Sequence, residues 1–383
     1  MDFVNLQAVA LPESAEQLRR EVRAFLAEEL ASGRIQTRPD QWLAGWDEEF
    51  SKRLGARGWI GMAFPREYGG TEAGALARFV VTEELLAAGA PVAAHWIADR
   101  QSGQALMKFG TEEQRQTFLP AIARGECYFA IGMSEPDTGS DLASVRTRAT
   151  RVEGGWELEG TKIWTSGAHH AHAMIALVRT EPVTERRHAG LSQMIVELPD
   201  PSIEIRPIRL LTGEHHFNEV VFNRTFVPDS RVLGQPGSGW MQVTSELGLE
   251  RSGPERILST FPLLVEAVRH LSRAGATPDR VRLGELVSRL WVLRQMSLAV
   301  AGRIEEGEDP AVAAAIVKDL GTQFEGLLVE TTRLLVDIAP DPASEALLPH
   351  MLSESLIHSP AFTLRGGTNE ILRGIISKAV TAA

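Results

Sequence analysis

The chain has 383 residues, of which 44% are hydrophobic and 23% charged, enough for two or three domains with substantial cores. A formal net charge of -11 argues against nucleic acid as a partner, because phosphate binding needs a basic face. One cysteine, Cys127, excludes an internal disulfide framework and a cysteine-cluster metal site.

The opening MDFVNLQAVALPESAEQ has no basic stretch leading into an apolar run, so no secretory signal is expected. No window approaches the roughly 20 apolar residues of a membrane span, so the expected location is cytoplasmic, with no membrane partner. From residue 14 to about 125 the pattern is helical. SAEQLRREVRAFLAEEL repeats apolar residues at helical spacing behind Ser14, a candidate N-cap. ALARFVVTEELLAAGA and TEEQRQTFLPAIARGE continue it, the second with Thr111 as cap.

Near residue 128 the character changes. RTRATRV, GWELEGTKIW, AMIALVRT, LSQMIVEL, IEIRPIRL and NEVVFNRTFV are short, rich in β-branched and aromatic residues, and separated by Gly, Pro and Asp turns. They predict an antiparallel β-domain. From about 239 the helical period returns. The resulting class is α+β: a helical N-terminal domain over 1–127, a middle β-domain over 128–233 and a helical C-terminal domain over 234–383. Without strand–helix alternation there is no βαβ unit, so GQPGSGW is not a dinucleotide-binding turn but an entry to the helix that follows.

On that helix Trp240, Val243, Leu247, Glu250, Pro254, Leu258, Phe261 and Val265 recur every three or four positions. The spacing puts Glu250 on the apolar face. Pro254 cannot donate to the carbonyl of residue 250, so the helix is expected to distort at the glutamate. A carboxylate facing a core is paired, protonated, or chemically employed.

Three clusters can carry chemistry. IGMSEPDTGSD (131–141) offers backbone N–H groups and hydroxyls to the edge of a flat heterocycle, or is a plain connection. GTKIWTSGAHHAHAM (160–174) sets the flat face of Trp164 beside Thr165 and Ser166, or packs a tryptophan at a strand end. FTLRGGTNEILRG (362–374) has a double glycine that lets backbone approach a ligand and Thr368 to cap a helix, or is a helical corner. His169, His170, His172, His215 and His216 lack ligand spacing, so no metal is expected.

SEPDTGSD, TKIWTSG, NEVVFNRTFVPDSRVLGQPGSGW and GGTNEI, in this order, resemble the acyl-CoA dehydrogenase family over essentially the whole chain. The resemblance implies a C-terminal domain like a four-helix bundle, FAD as cofactor, and conversion of an acyl-CoA thioester to its trans-2-enoyl-CoA. By similarity, Met133, Ser134, Gly139 and Ser140 line the flavin and its approach, and Trp164 and Ser166 cover its other face. Thr368 and Glu370 meet the cofactor from the C-terminal side, although many members carry Gln at the latter position. Ser140 and Arg251 face the substrate.

Most members carry the catalytic glutamate at the position of Gly366. A minority place it on the first long helix of the C-terminal domain, where Glu250, followed by Arg251, matches. The resemblance therefore implies Glu250 as the base that takes the α-proton while hydride leaves for flavin N5. The backbone N–H of Gly366 holds the thioester oxygen. The alternative is a buried glutamate paired with Arg251 or Arg256. A free glutamate near pKa 4.3 is too weak a base, and desolvation should raise it toward about 6–7.

Two cofactor motifs of the common homotetramers are missing. RHLSRAGATPDRVRLGELVS has no Phe-Gly, and VDIAPDPASEALLP stands where Gln-x-x-Gly-Gly-x-Gly is usual. This half-set resembles bacterial acyl-CoA dehydrogenases of two different chains, many acting on sterol or bile-acid side chains. The implied partners are an acyl-CoA, an electron-transfer flavoprotein and a paralogous chain in an α2β2 assembly, with a homo-oligomer as the alternative. A non-catalytic assembly subunit and a flavin oxidase or hydroxylase on the same fold are the rival readings.

Overall fold

The computed structural model describes residues 6–249, 253–273 and 279–382. Seven helices come first: α1 (Glu13–Ala31), α2 (Gln41–Ala44), α3 (Glu48–Ala56), α4 (Ala75–Ala87), α5 (Ala93–Ile97), α6 (Gly103–Phe109) and α7 (Glu112–Ala123). Eight strands follow: β1 (Phe129–Gly132), β2 (Arg148–Val152), β3 (Gly155–Ser166), β4 (Ala173–Arg179), β5 (Leu191–Glu197), β6 (Ile203–Ile208), β7 (Phe217–Pro228) and β8 (Val232–Leu233). The described chain ends in six helices: α8 (Gly239–Leu249), α9 (Phe261–Arg273), α10 (Arg280–Glu305), α11 (Ala311–Leu335), α12 (Leu347–His358) and α13 (Asn369–Ala382).

Local chemistry explains the boundaries. Thr111 caps α7 as the sequence predicts: its hydroxyl accepts from Gln114 N–H, and the Gln114 amide oxygen accepts from Thr111 N–H. Ser14 does not cap α1. That helix already begins at Glu13 behind Pro12, whose carbonyl accepts from Ala15 and Glu16. Pro254 does not sit inside a distorted helix either. The α8 helix reaches Leu249, and Pro254 opens a short 3-10 turn, Pro254–Arg256, where its missing N–H is no loss. The apolar stripe counted from Trp240 to Val265 therefore spans three separate elements.

The chain forms two compact units. One comprises the residues up to Gly45, Gly74–Pro91 and everything from Gly248 onward. Here α1 packs on α4, α4 on α10, α10 on α11 and α11 on α13. Ala15, Phe79, Val80, Leu298 and Ala301 form one buried cluster among them.

The other unit, Trp46–Ala73 and Val92–Leu247, holds the sheet, ordered β6-β7-β3-β2-β4-β5-β8 with β1 beside β4. The sheet is mixed, not purely antiparallel as the segment pattern predicts. β1 runs parallel to β4 over Phe129–Gly132, and β2 meets β4 in a parallel bridge at Arg148 and Arg179. The four residues of β1 are too few to show alternation, so this strand is absent from the sequence reading. Val243 of α8 packs with Leu177 and Leu191 on the sheet and with Val145 just ahead of β2.

Among the described residues no helix is long and apolar enough to cross a membrane.

Candidate active site

In the sheet unit the site begins where β1 ends. Glu135 and Thr138 exchange backbone hydrogen bonds of 2.7 and 3.0 Å, closing a tight turn over Pro136 and Asp137. The Glu135 carboxylate is buried and accepts from Arg146 N–H at 2.7 Å, Thr147 N–H at 2.8 Å and the Lys162 ammonium at 2.8 Å. Lys162, itself fully buried, also donates to the Met133 carbonyl at 3.2 Å. Ile163 N–H donates to the Ser134 carbonyl at 2.9 Å. The turn carrying Met133 and Ser134 is thus tied to β3 one residue before Trp164.

Burial pulls the Lys162 ammonium down to about 8 against the opposing attraction of Glu135. The same pair holds the Glu135 carboxyl below its ordinary value, with burial working the other way. The sequence reading missed both residues. A signal was present: inward alternation on β3 buries position 162, and a buried lysine needs a carboxylate.

Trp164 stands on a β-bulge. The register between β3 and β7 slips between Lys162 and Thr165, and Trp164 takes φ +59°. A bulky residue in the left-handed region costs of order 1–2 kcal/mol. Its ring is 52% exposed and meets Phe217 only edge-on, at 5.7 Å. Strain and exposure of so large an apolar ring oppose folding, so folding alone does not account for this placement. Ser166, half-buried, lies two residues on, opposite Phe217 in the ladder. Gly139 and Ser140 are exposed, and a side chain at Gly139 would meet no atom within 4 Å.

The histidines form a stack. His169 lies 4.0 Å from both His170 and His215, and Asn218 bridges His169 and His215. No group of three potential ligands suits a metal among the described residues. Burial, with the neighbouring imidazoles adding to it, lowers His169 to about 4.

In the helical unit, Gly366 (φ +68°) and Gly367 (φ +90°) turn the chain into α13. Thr368 Oγ1 accepts from Ile371 N–H at 3.4 Å, the helix cap that the sequence predicts. Glu370 is exposed in the first turn, its carboxyl held low by local backbone and Thr368 hydrogen bonds. Lys318, fully buried, donates to the Gly367 carbonyl at 2.5 Å. Glu250 and Arg251 lie outside the described residues.

This succession of helices, mixed sheet and helices, with the exposed ring on its bulge, is the fold of the acyl-CoA dehydrogenases. The sequence matches the acyl-CoA dehydrogenase N-terminal domain over residues 12–126 and the middle domain over 130–225. Acyl-CoA dehydrogenase IpdE1 of Mycobacterium tuberculosis is 33% identical over 390 residues, covering 96% of this chain and 97% of that protein. Acyl-CoA dehydrogenase FadE34 of the same organism is 34% identical over 272 residues, 70% of this chain but only 37% of that longer protein.

Two solved structures superpose over 98% of this chain and 99% of theirs. The Tcur3481-Tcur3483 steroid ACAD does so with a TM-score of 0.87 and 28% identity. The ChsE4-ChsE5 complex of Mycobacterium tuberculosis has a TM-score of 0.82 and 27% identity. The chain belongs to the acyl-CoA dehydrogenase family, a family of oxidoreductases with FAD as cofactor. Such a cofactor is compatible with what the sheet unit exposes: the half-exposed Trp164 ring, and Gly139 and Ser140 with their backbone and hydroxyl groups.

Proposed function

We propose that this chain is the base-bearing subunit of an FAD-dependent acyl-CoA dehydrogenase that makes the trans-2-enoyl-CoA. The observation that carries the reading is Trp164, driven out of the sheet by a bulge directly after Lys162 and Ile163 have fixed the Met133–Ser134 turn. That geometry supports Met133, Ser134, Gly139, Ser140, Trp164 and Ser166 as the ring-binding set of this chain. Thr368 and Glu370 are assigned to the cofactor on the family resemblance alone.

Bound FAD supplies the acceptor for the β-hydride. Glu250 takes the α-proton, and the Gly366 N–H receives the thioester oxygen as it gains charge. Arg251 and Ser140 face the acyl-CoA. The positive φ at Gly366 supports this role, since it turns the peptide at a position where no side chain intervenes.

The partner in this reading is a paralogous chain in an α2β2 assembly, with an electron-transfer flavoprotein as electron acceptor and the cytoplasm as location. Likeness to a structure described as a complex of two named chains, and to one described as a steroid ACAD, supports that assembly and a bulky acyl group.

The test is the visible spectrum of the chain purified alone and co-expressed with its paralogue, followed by addition of a steroid-side-chain acyl-CoA. Flavin only in the co-expressed sample, bleached by substrate, is expected. Glu250→Gln should abolish bleaching while leaving flavin content and assembly intact. Full flavin in the lone chain would refute the two-chain assembly, and bleaching by the Gln variant would refute the base.

A further inference from the structure

We infer that Arg256 is a positioning residue for the thioester, holding the Gly366 turn in place and setting a positive charge beside it. The inference rests on the proposed role of the Gly366 N–H. It starts from the space beside the glycine. The three atoms nearest to a Cβ on Gly366 would all belong to the Arg256 guanidinium: Nη2 at 2.6 Å, Cζ at 3.1 Å and Nη1 at 3.2 Å. The guanidinium therefore fills the place where any side chain at 366 would begin. The glutamate that the commoner arrangement carries at this position would have to displace the guanidinium. The corner is rebuilt around a cation.

That cation is held on several sides. Arg256 is buried at the end of the Pro254–Arg256 turn, with its guanidinium 5.2 Å from the Trp42 ring centre. Trp42 is fixed in turn: its indole N–H donates to Ser259 Oγ at 3.0 Å, and Arg365 lies 4.5 Å from its ring. Arg365 donates to Asp40 at 2.8 Å and to Ser259 Oγ at 3.1 Å. Asp40 is joined to His358 Nδ1 at 2.9 Å. On α11, Gly321 lets the helix approach the Arg256 carbonyl so closely that a Cβ there would collide with it. The next residue of the corner receives a second buried cation, Lys318, on the Gly367 carbonyl.

Two buried cations therefore flank the double glycine whose N–H meets the thioester oxygen. Deprotonation at the α-carbon moves negative charge onto that oxygen. A preorganised positive charge in a dry site stabilises this charge and not the neutral ground state, so it lowers the barrier without tightening substrate binding.

The experiment uses the co-expressed complex with Arg256→Lys, Arg256→Gln, Gly366→Ala and the double variant Arg256→Gln/Gly366→Ala. Arg256→Gln should lower kcat about ten- to a hundredfold with KM within about threefold, whereas Arg256→Lys should recover most of it. A bound 3-ketoacyl-CoA, followed by its enolate absorbance, should ionise about one to two pH units higher in Arg256→Gln than in the parent complex. Gly366→Ala should lower the unfolding midpoint sharply, and by less when Arg256→Gln is also present, because the collision is relieved.

Equal probe ionisation in Arg256→Gln and parent overturns the electrostatic role, and additive midpoint losses overturn the packing role. A parent complex that binds no flavin and oxidises no acyl-CoA overturns instead the function on which the inference rests.

Discussion

Glu325 on α11 is the group whose titration should be most visible in stability. It is fully buried, its Oε1 accepts from Ser259 N–H at 2.7 Å, and its Oε2 has no hydrogen-bond partner. Burial pushes its carboxyl from 4.5 up to about 7, with the Arg365 charge and the Ser259 bonds opposing. A carboxyl raised on folding holds its proton in the native state while the unfolded chain has lost it. Its contribution is therefore complete below the unfolded pKa and is lost as pH rises through about 7.

The whole shift corresponds to about 3 kcal/mol, of which about 2 kcal/mol falls between pH 5.5 and 8. Glu325→Gln cannot titrate, yet its amide oxygen can still accept from Ser259. The variant should therefore gain about 2 kcal/mol relative to the parent on moving from pH 5.5 to 8. Urea unfolding at both pH values reads this as a midpoint difference that opens by roughly 0.5 M, since the urea slope rises with chain length.

The difference between variant and parent is the quantity to follow, because other groups titrate nearby. His95, lowered by burial to about 4, changes stability in the opposite direction as pH falls. An equal effect of Glu325→Gln at both pH values would show that Glu325 is already ionised in the native state, and would refute the reasoning.

Two other substitutions probe the sheet unit. Lys162→Met strands the buried Glu135 carboxylate and should cost about 3–5 kcal/mol; adding Glu135→Gln should restore part of it, measured by urea midpoints. If the single variant is neutral, the pair is not what ties the Met133–Ser134 turn to β3. Trp164→Gly removes left-handed strain of about 1–2 kcal/mol and little buried area, so the melting temperature of the cofactor-free chain should hold or rise. Flavin content of the co-expressed complex should fall. A marked loss of stability with flavin retained would make the tryptophan a core residue.

Much of the fold was legible because its segments are long and regular. The six strands from β2 to β7 lie within a few residues of their β-branched runs, and Thr111 announces α7. What escaped was set by partners distant in sequence. β1 is four apolar residues that pair in parallel with β4 some 45 positions on, a relation no local pattern carries. The count from Trp240 to Val265 runs on in number where the chain is not one helix, since Gly253 is extended and Pro254–Arg256 forms a separate 3-10 turn.

At the site, the types and order of Trp164, Ser166, Met133 and Ser134 were readable, but the bulge that exposes the ring was not. It depends on how β7 pairs with β3. Burial of position 162 could be read from the alternation along β3, but its partner Glu135, 27 residues away, and the place of Arg256 beside Gly366 appear only in the folded chain.

The division into two units has a consequence for synthesis. The helices α1 and α4 belong with the helices that follow Gly248, although Val92–Leu247 of the sheet unit separates them in the chain. On a ribosome adding about 5–20 residues per second, these helices emerge roughly 10–30 s before the first of their later partners. During that interval the apolar faces formed by Phe79 and Val80 wait for Leu298 and Ala301, while every segment of the sheet unit has emerged and can close first. The early helices are therefore the stretch of the nascent chain on which a chaperone holding exposed apolar surface would act.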